Sequence, residues 1–213
     1  MTQQTIAALY VETDGCYFGL DGVEPYDERR DARTYDGPHP VVAHPPCKRW
    51  GRYWFGGPSI RVRYERPGMD GGLFADALAK VRRFGGVIEH PEGSHAWPHF
   101  GLTKPPKSGG WVRADWPLFD GWTCCVEQGH YGHKARKATW LYAIGCKLPS
   151  LIWGAAAGKI RLDEGFATSS DRASARAQGI KPMKRLSSVE NLATPEPFRD
   201  ILIKMARSAE VKI

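Results

Sequence analysis

The chain has 213 residues, 42% hydrophobic and 25% charged, enough for one full-cored globular domain with at most a small appendage. No apolar run approaches the ~20 residues of a membrane span, and residues 1–5 lack a signal peptide's basic region and apolar stretch, so a cytoplasmic protein with no membrane partner is expected. A net charge of +7 suits a polyanion such as DNA, while five cysteines without CxxC spacing argue against a disulfide framework or a zinc site.

Residues 6–12 (IAALYVE) read as a first strand, apolar enough to be central. The loop that follows, TDGCYFG at 13–19, stands where a doubly wound sheet seats a nucleotide or similar cofactor. Asp14, Gly15 and Tyr17 are its candidate ligands. Residues 23–36 are polar and charged and read as a solvated connection; Glu24 and Asp31 are the acids that would bond a cofactor's hydroxyl or amine.

A short strand at 40–43 then meets His44-Pro45-Pro46-Cys47. The prolines cannot donate to a ladder and push their predecessors towards extended geometry, which leaves Cys47 on a loop at a strand's carboxyl end. Lys48, Arg49 and Arg52 follow, interleaved with aromatic residues and glycines, a blend that suits phosphates and an unstacked base. Residues 71–84 carry apolar side chains at helical spacing and end at Gly85-Gly86. The strand VIEHP at 87–91 completes a βαβ unit, so Cys47 and Glu89 should share one edge of a parallel sheet.

Beyond it, residues 98–117 read as loop, 123–128 as a strand, 128–137 as a basic glycine-bearing hairpin or loop, and 138–144 as another strand. Residues 154–185 lose periodicity and read as a loop-dominated insert. The last element opens near Thr194, a candidate N-cap, with Pro195 at the first helical position and Phe198, Ile201, Leu202 and Met205 on the buried face. The expected fold is α/β: a reduced Rossmann-like doubly wound sheet, mostly parallel. Residues 1–145 and 190–213 form the core, and 146–189 a small basic insert.

Three blocks in this order, PPC after a strand, VIEHP after the next and YGHKARKATWLY between two late strands, resemble the DNA cytosine-5 methyltransferase family, in a compact form similar to phage and actinobacterial proteins. The resemblance spans residues 41–200. It implies that Cys47 is the nucleophile, Glu89 the carboxylate that holds the base, and Arg136 the basic residue of the third block. Asn191 falls in a segment similar to the family's closing one, beside the cofactor. S-adenosylmethionine is the implied donor and DNA the implied partner, with Tyr131, Lys134 and Lys137 beside Lys48, Arg49 and Arg52 at the DNA. Residues 146–189 are the candidate target-recognition region.

The chain departs from the family at His90 (asparagine there), at Ala135 and Thr139 (glutamine and arginine), and in the first loop. Other readings are an amino methyltransferase, whose Pro-Pro loop HPPC echoes, a catalytically degenerate DNA-binding module, and more distantly a metal or redox site of Cys16, Cys47 and histidines. The chemistry of a thiol and a carboxylate at one edge favours the cytosine-5 reading. A thiolate adds readily to an electron-poor ring carbon and leaves again, and the cations of Lys48 and Arg49 would lower its pKa.

Overall fold

In the computed structural model, the described residues are 3–51, 54, 66–157, 169–180, 186–187, 190 and 192–210. Seven strands make one sheet: β1 (Ile6–Leu9), β2 (Val23–Tyr26), β3 (Val41–Ala43), β4 (Gly86–Pro91), β5 (Val112–Arg113), β6 (Trp122–Glu127) and β7 (Ala138–Ile144), in the order β2-β1-β3-β4-β7-β6-β5. β2, β1, β3 and β4 run parallel, whereas β7, β6 and β5 join by antiparallel pairing. The architecture is α/β, as expected, and its parallel half is consistent with a Rossmann-like sheet. The sheet is mixed rather than mostly parallel, because the late strands follow one another through short connections that reverse the chain.

Helices cover both faces. α1 (Leu73–Phe84) and α2 (Ala96–His99) bury Phe74, Ala77, Leu78, Val81 and Trp97 against Leu9, Val41, Ala43 and Ile88. On the other face α4 (Glu196–Arg207) sets Phe198, Leu202, Met205 and Ala206 against Ile6, Ala8, Val42, Val87 and Leu141. Strand residues alternate between these two cores, as a pleated sheet buried on both sides requires.

α1 starts where the Asp70 carboxylate accepts hydrogen bonds from the Gly72 and Phe74 amides, and it stops at Gly85, whose positive φ of 75° suits glycine. Gly86 then opens β4 at φ 131°, where a Cβ would lie 1.9 Å from the Val41 carbonyl oxygen. No other residue type fits that approach, and it is what lets β4 lie beside β3.

Several expectations change, and β5 itself lies within residues 98–117, which read as loop. Part of the stretch at 23–36 forms β2 instead of a solvated connection. Pro25 obscures it in the sequence, yet an edge strand tolerates a residue with no N–H. α3 (Ser169–Ala177) lies within the span expected to be loop, with residues 158–168 and 181–185 outside the described set. The N-cap of α4 is Pro195, not Thr194; its extended backbone (ψ 140°) aims its carbonyl at the amides of Phe198 and Arg199.

Candidate active site

Register brings the site together. Ala43 pairs with Ile88, so one step further along each parallel strand His44 stands opposite Glu89. Both follow the alternation of Val42 and Val87 and lie on the α4 side of the sheet. The His44 amide still donates to the Leu9 carbonyl, at 3.0 Å, which ties it to the sheet before the prolines turn the chain away. His44 Nδ1 lies 3.0 Å from Glu89 Oε2, and His44 Nε2 lies 2.8 Å from the Tyr17 hydroxyl. Gln128 Nε2 donates to Glu89 Oε1 at 3.0 Å and to the Thr139 hydroxyl at 2.9 Å. Tyr17, Glu89, Gln128 and Thr139 are all buried.

Cys47 sits three residues past His44, at the head of a tight turn whose amides at Trp50 and Gly51 donate to the Cys47 carbonyl. Trp50 pins that turn: it is buried and its indole N–H donates to Asp70 at 2.7 Å. Burial pushes the Cys47 thiol above its ordinary pKa, and Glu89 nearby pushes it further, while Lys137 opposes them. The expectation that Lys48 and Arg49 lower this pKa is therefore corrected. Lys48 is exposed and Arg49 donates to the Trp54 carbonyl; the cation that acts on the thiol is Lys137.

Lys137 holds a left-handed backbone (φ 36°), and its ammonium donates to the carbonyls of Leu192 and Ala193. Burial lowers its pKa, with Glu89, Cys47 and Cys16 pulling the other way. It belongs to the site itself rather than to a DNA-facing rim. Burial alone would raise the pKa of Glu89. The hydrogen bond and charge of His44, then the charges of Lys137 and His90, outweigh it and bring it down to about 2.

His90 points the opposite way. It is buried against Phe74 and Trp97, ring centroids 5.2 and 6.1 Å apart, on the α1 side of the sheet. Burial lowers its pKa to about 4, against the pull of Glu89 and the Pro46 carbonyl, and neither ring nitrogen makes a hydrogen bond of normal geometry. The imidazole is thus accommodated by an aromatic core.

The remaining predicted residues are placed elsewhere. Arg136 forms an ion pair with Glu127 at 2.9 Å, whose other oxygen accepts from the Ala156 amide. That engages its guanidinium at the end of β6 instead of leaving it for a base. Tyr131 packs its ring on Phe198 and accepts the Ile152 amide, so it is a core contact rather than a DNA contact. Lys134 pairs with Glu190. Arg52 and Asn191 lie outside the described residues.

The switch of strand order falls between β1 and β3, so a crevice for a cofactor would open between the loops carrying Tyr17 and Cys47. The side chains expected to line it are already engaged. Asp14 pairs with Arg29, Glu24 with Arg30, and Asp31 with Arg33. Gly15 serves the turn back onto Glu12, since a Cβ there would lie 2.8 Å from the Glu12 carbonyl oxygen. Asp27, directly past β2, spends its carboxylate on Thr13 and on the amides of Arg29 and Arg30. These acids are thus spent on local ion pairs and amides.

The sequence reading missed His44, Gln128 and Thr139 as site residues. His44 was recoverable: in parallel strands of this register, the residue one step past Ala43 faces the one past Ile88. Gln128 carried no local signal, because β6 reaches Glu89 only across β7. Among the described residues no group of three or more His, Cys, Asp and Glu side chains could hold a metal ion. Comparison with protein-family models, with curated proteins and with solved structures finds no match in any of the three.

Proposed function

We propose that the chain is a DNA-modifying transferase acting on carbon 5 of cytosine through a covalent adduct to Cys47. The observation that carries this reading is that Cys47 and Glu89 emerge at the carboxyl edge of the paired strands β3 and β4, with Glu89 near enough to raise the thiol's pKa. Carbon 5 of cytosine is a poor nucleophile until something adds to carbon 6. The Cys47 thiol gives up its proton to solvent and its thiolate forms the S–C6 bond; the ring electron pair moves to carbon 5, which attacks the donor's electrophilic carbon and displaces the rest of the donor, which leaves with the electrons of the broken bond. Loss of the carbon 5 proton then expels the thiolate and restores the ring. Glu89 holds the base edge and steadies the charge that develops, and Lys137 offsets the cost of a buried thiolate.

The base must leave its stack to reach this edge, with a net charge of +7 drawing in the phosphates. S-adenosylmethionine is the proposed donor on the resemblance of the three blocks alone. An amino methyltransferase is disfavoured, because His44, which would grip the amine, is already bonded to Glu89 and Tyr17. A degenerate DNA-binding module is the second reading, favoured by the engaged side chains of the first loop.

The test is a denaturant-resistant complex with DNA containing 5-fluorocytosine in the presence of S-adenosylmethionine. Wild type should form it and Cys47→Ser should not. Absence of an adduct with this and other one-carbon donors selects the DNA-binding reading, and calorimetry with S-adenosylmethionine checks the donor separately.

A further inference from the structure

We propose that Glu190 stands in for a DNA phosphate on Lys134, so that the stretch before α4 covers a phosphate site that DNA must open on its way to Cys47. This rests on the DNA reading and deepens it by adding a regulated step. Closed, the stretch keeps DNA off the site; a phosphate that displaces Glu190 opens it.

Residues 128–137 (QGHYGHKARK) carry Lys134, Arg136 and Lys137 and no acid. Each of these cations has a partner within the chain. Arg136 is held by Glu127 at the end of β6, but Lys134 and Lys137 both turn to the stretch before α4. Lys134 Nζ lies 2.6 Å from Glu190 Oε1, and Lys137 Nζ donates to the Leu192 and Ala193 carbonyls at 3.1 and 2.9 Å. His133 Nε2 adds a contact of 3.2 Å to the Glu190 carbonyl. The basic side chains at 133, 134 and 137 thus grip Glu190, Leu192 and Ala193.

The Glu190 carboxylate is itself held in place. Its other oxygen, Oε2, accepts from the Ser187 amide at 3.0 Å and from the Ser187 hydroxyl at 2.9 Å, which leaves Oε1 aimed at the ammonium. An anionic oxygen so presented offers Lys134 what a phosphate oxygen would. Lys134 and Ser187 hold the Glu190 pKa down to about 2, so the group stays charged near neutral pH. The contact is also weak enough to open. Its side chains are 65% and 39% exposed, and an ion pair in water yields to a phosphate backed by its neighbours along a strand. Lys137 gives the covering its place: it acts on the Cys47 thiol, so the carbonyls it grips lie beside the site.

A covering of this kind couples two residues in DNA binding. In wild type, DNA gains a contact between Lys134 and a phosphate but breaks the one between Lys134 and Glu190, so the lysine adds little to affinity. Without the Glu190 charge the same lysine contributes in full. A surface acid that merely repels DNA behaves otherwise: its effect is the same whether or not Lys134 is present.

The test is binding of the full chain to a fluorescent duplex oligonucleotide of mixed sequence, followed by anisotropy without any donor. Glu190→Gln removes the charge and keeps an acceptor for Ser187, so the fold should be retained, as read by circular dichroism. Asp36→Asn is the control: it removes the same charge from an exposed acid, paired with Arg83 where α1 ends at the opposite end of the sheet. Glu190→Gln should bind about fivefold more tightly than Asp36→Asn at about 0.1 M salt, the most that an exposed ion pair withholds. Adding Lys134→Met should erase that gain and flatten the slope of log K against log salt by about one. Equal binding by Glu190→Gln and Asp36→Asn overturns the proposal, and so does a gain that survives Lys134→Met. Either result leaves the cytosine reading standing where the 5-fluorocytosine adduct forms. No binding by wild type or any variant overturns the covering and the DNA reading together.

Discussion

His90→Phe removes a titration without removing a hydrogen bond, and the pH dependence of stability reports it. His90 is 1% exposed, and burial lowers its pKa from 6.5 to about 4. Above pH 6.5 the ring is neutral in folded and unfolded chains alike, so it contributes no pH dependence. As pH falls below 6.5 the unfolded chain takes up a proton that the folded chain refuses, and stability is lost until about pH 4. At about 1.4 kcal/mol per pH unit, this costs about 2 kcal/mol between pH 7 and pH 5. Urea unfolding followed by tryptophan fluorescence at those two pH values gives the loss for wild type and for His90→Phe. The packing effect of the new ring cancels in the difference between pH values, and His133, whose pKa burial also lowers, is common to both proteins. Wild type should lose about 2 kcal/mol more than the variant. Equal losses would show that His90 protonates in place, and would refute the claim that its core excludes the charge.

Gly86→Ala sets a methyl group 1.9 Å from the Val41 carbonyl oxygen and should cost more than about 4 kcal/mol or prevent folding, read by expression and circular dichroism. Gln128→Leu removes the donor to Glu89 Oε1 from a fully buried position; a stability loss of about 1–3 kcal/mol is expected in urea titration, together with weaker adduct formation. Arg136→Met breaks an ion pair whose guanidinium side is half exposed. Stability should fall by less than about 1 kcal/mol and the 5-fluorocytosine adduct should persist; its loss would return Arg136 to the catalytic set.

The edge that carries the candidate site was readable because its determinants are local. Two prolines end β3 whatever lies around them, and a helix between two short apolar runs forces a parallel pair, so Cys47 and Glu89 were bound for the same edge. His44 lay inside the quoted motif, yet only the pairing of Ala43 with Ile88 gives it a partner. The acids of the first loops were misread for the complementary reason. Asp14, Glu24 and Asp31 look open in the sequence, but Arg29, Arg30 and Arg33 occupy them once the chain turns.

The sequence by itself determined an α/β chain, the ends of its strands and the edge on which a thiol and a carboxylate emerge. These follow from periodicity and from the backbone limits of proline and glycine, which act over a few residues. The tertiary structure alone decided what that carboxylate is. Burial raises its pKa, His44 and Lys137 lower it, and β6 brings Gln128 to it across an intervening strand. Charge, desolvation and hydrogen-bond direction depend on distances between residues far apart in the chain, and those distances exist only after the sheet has formed.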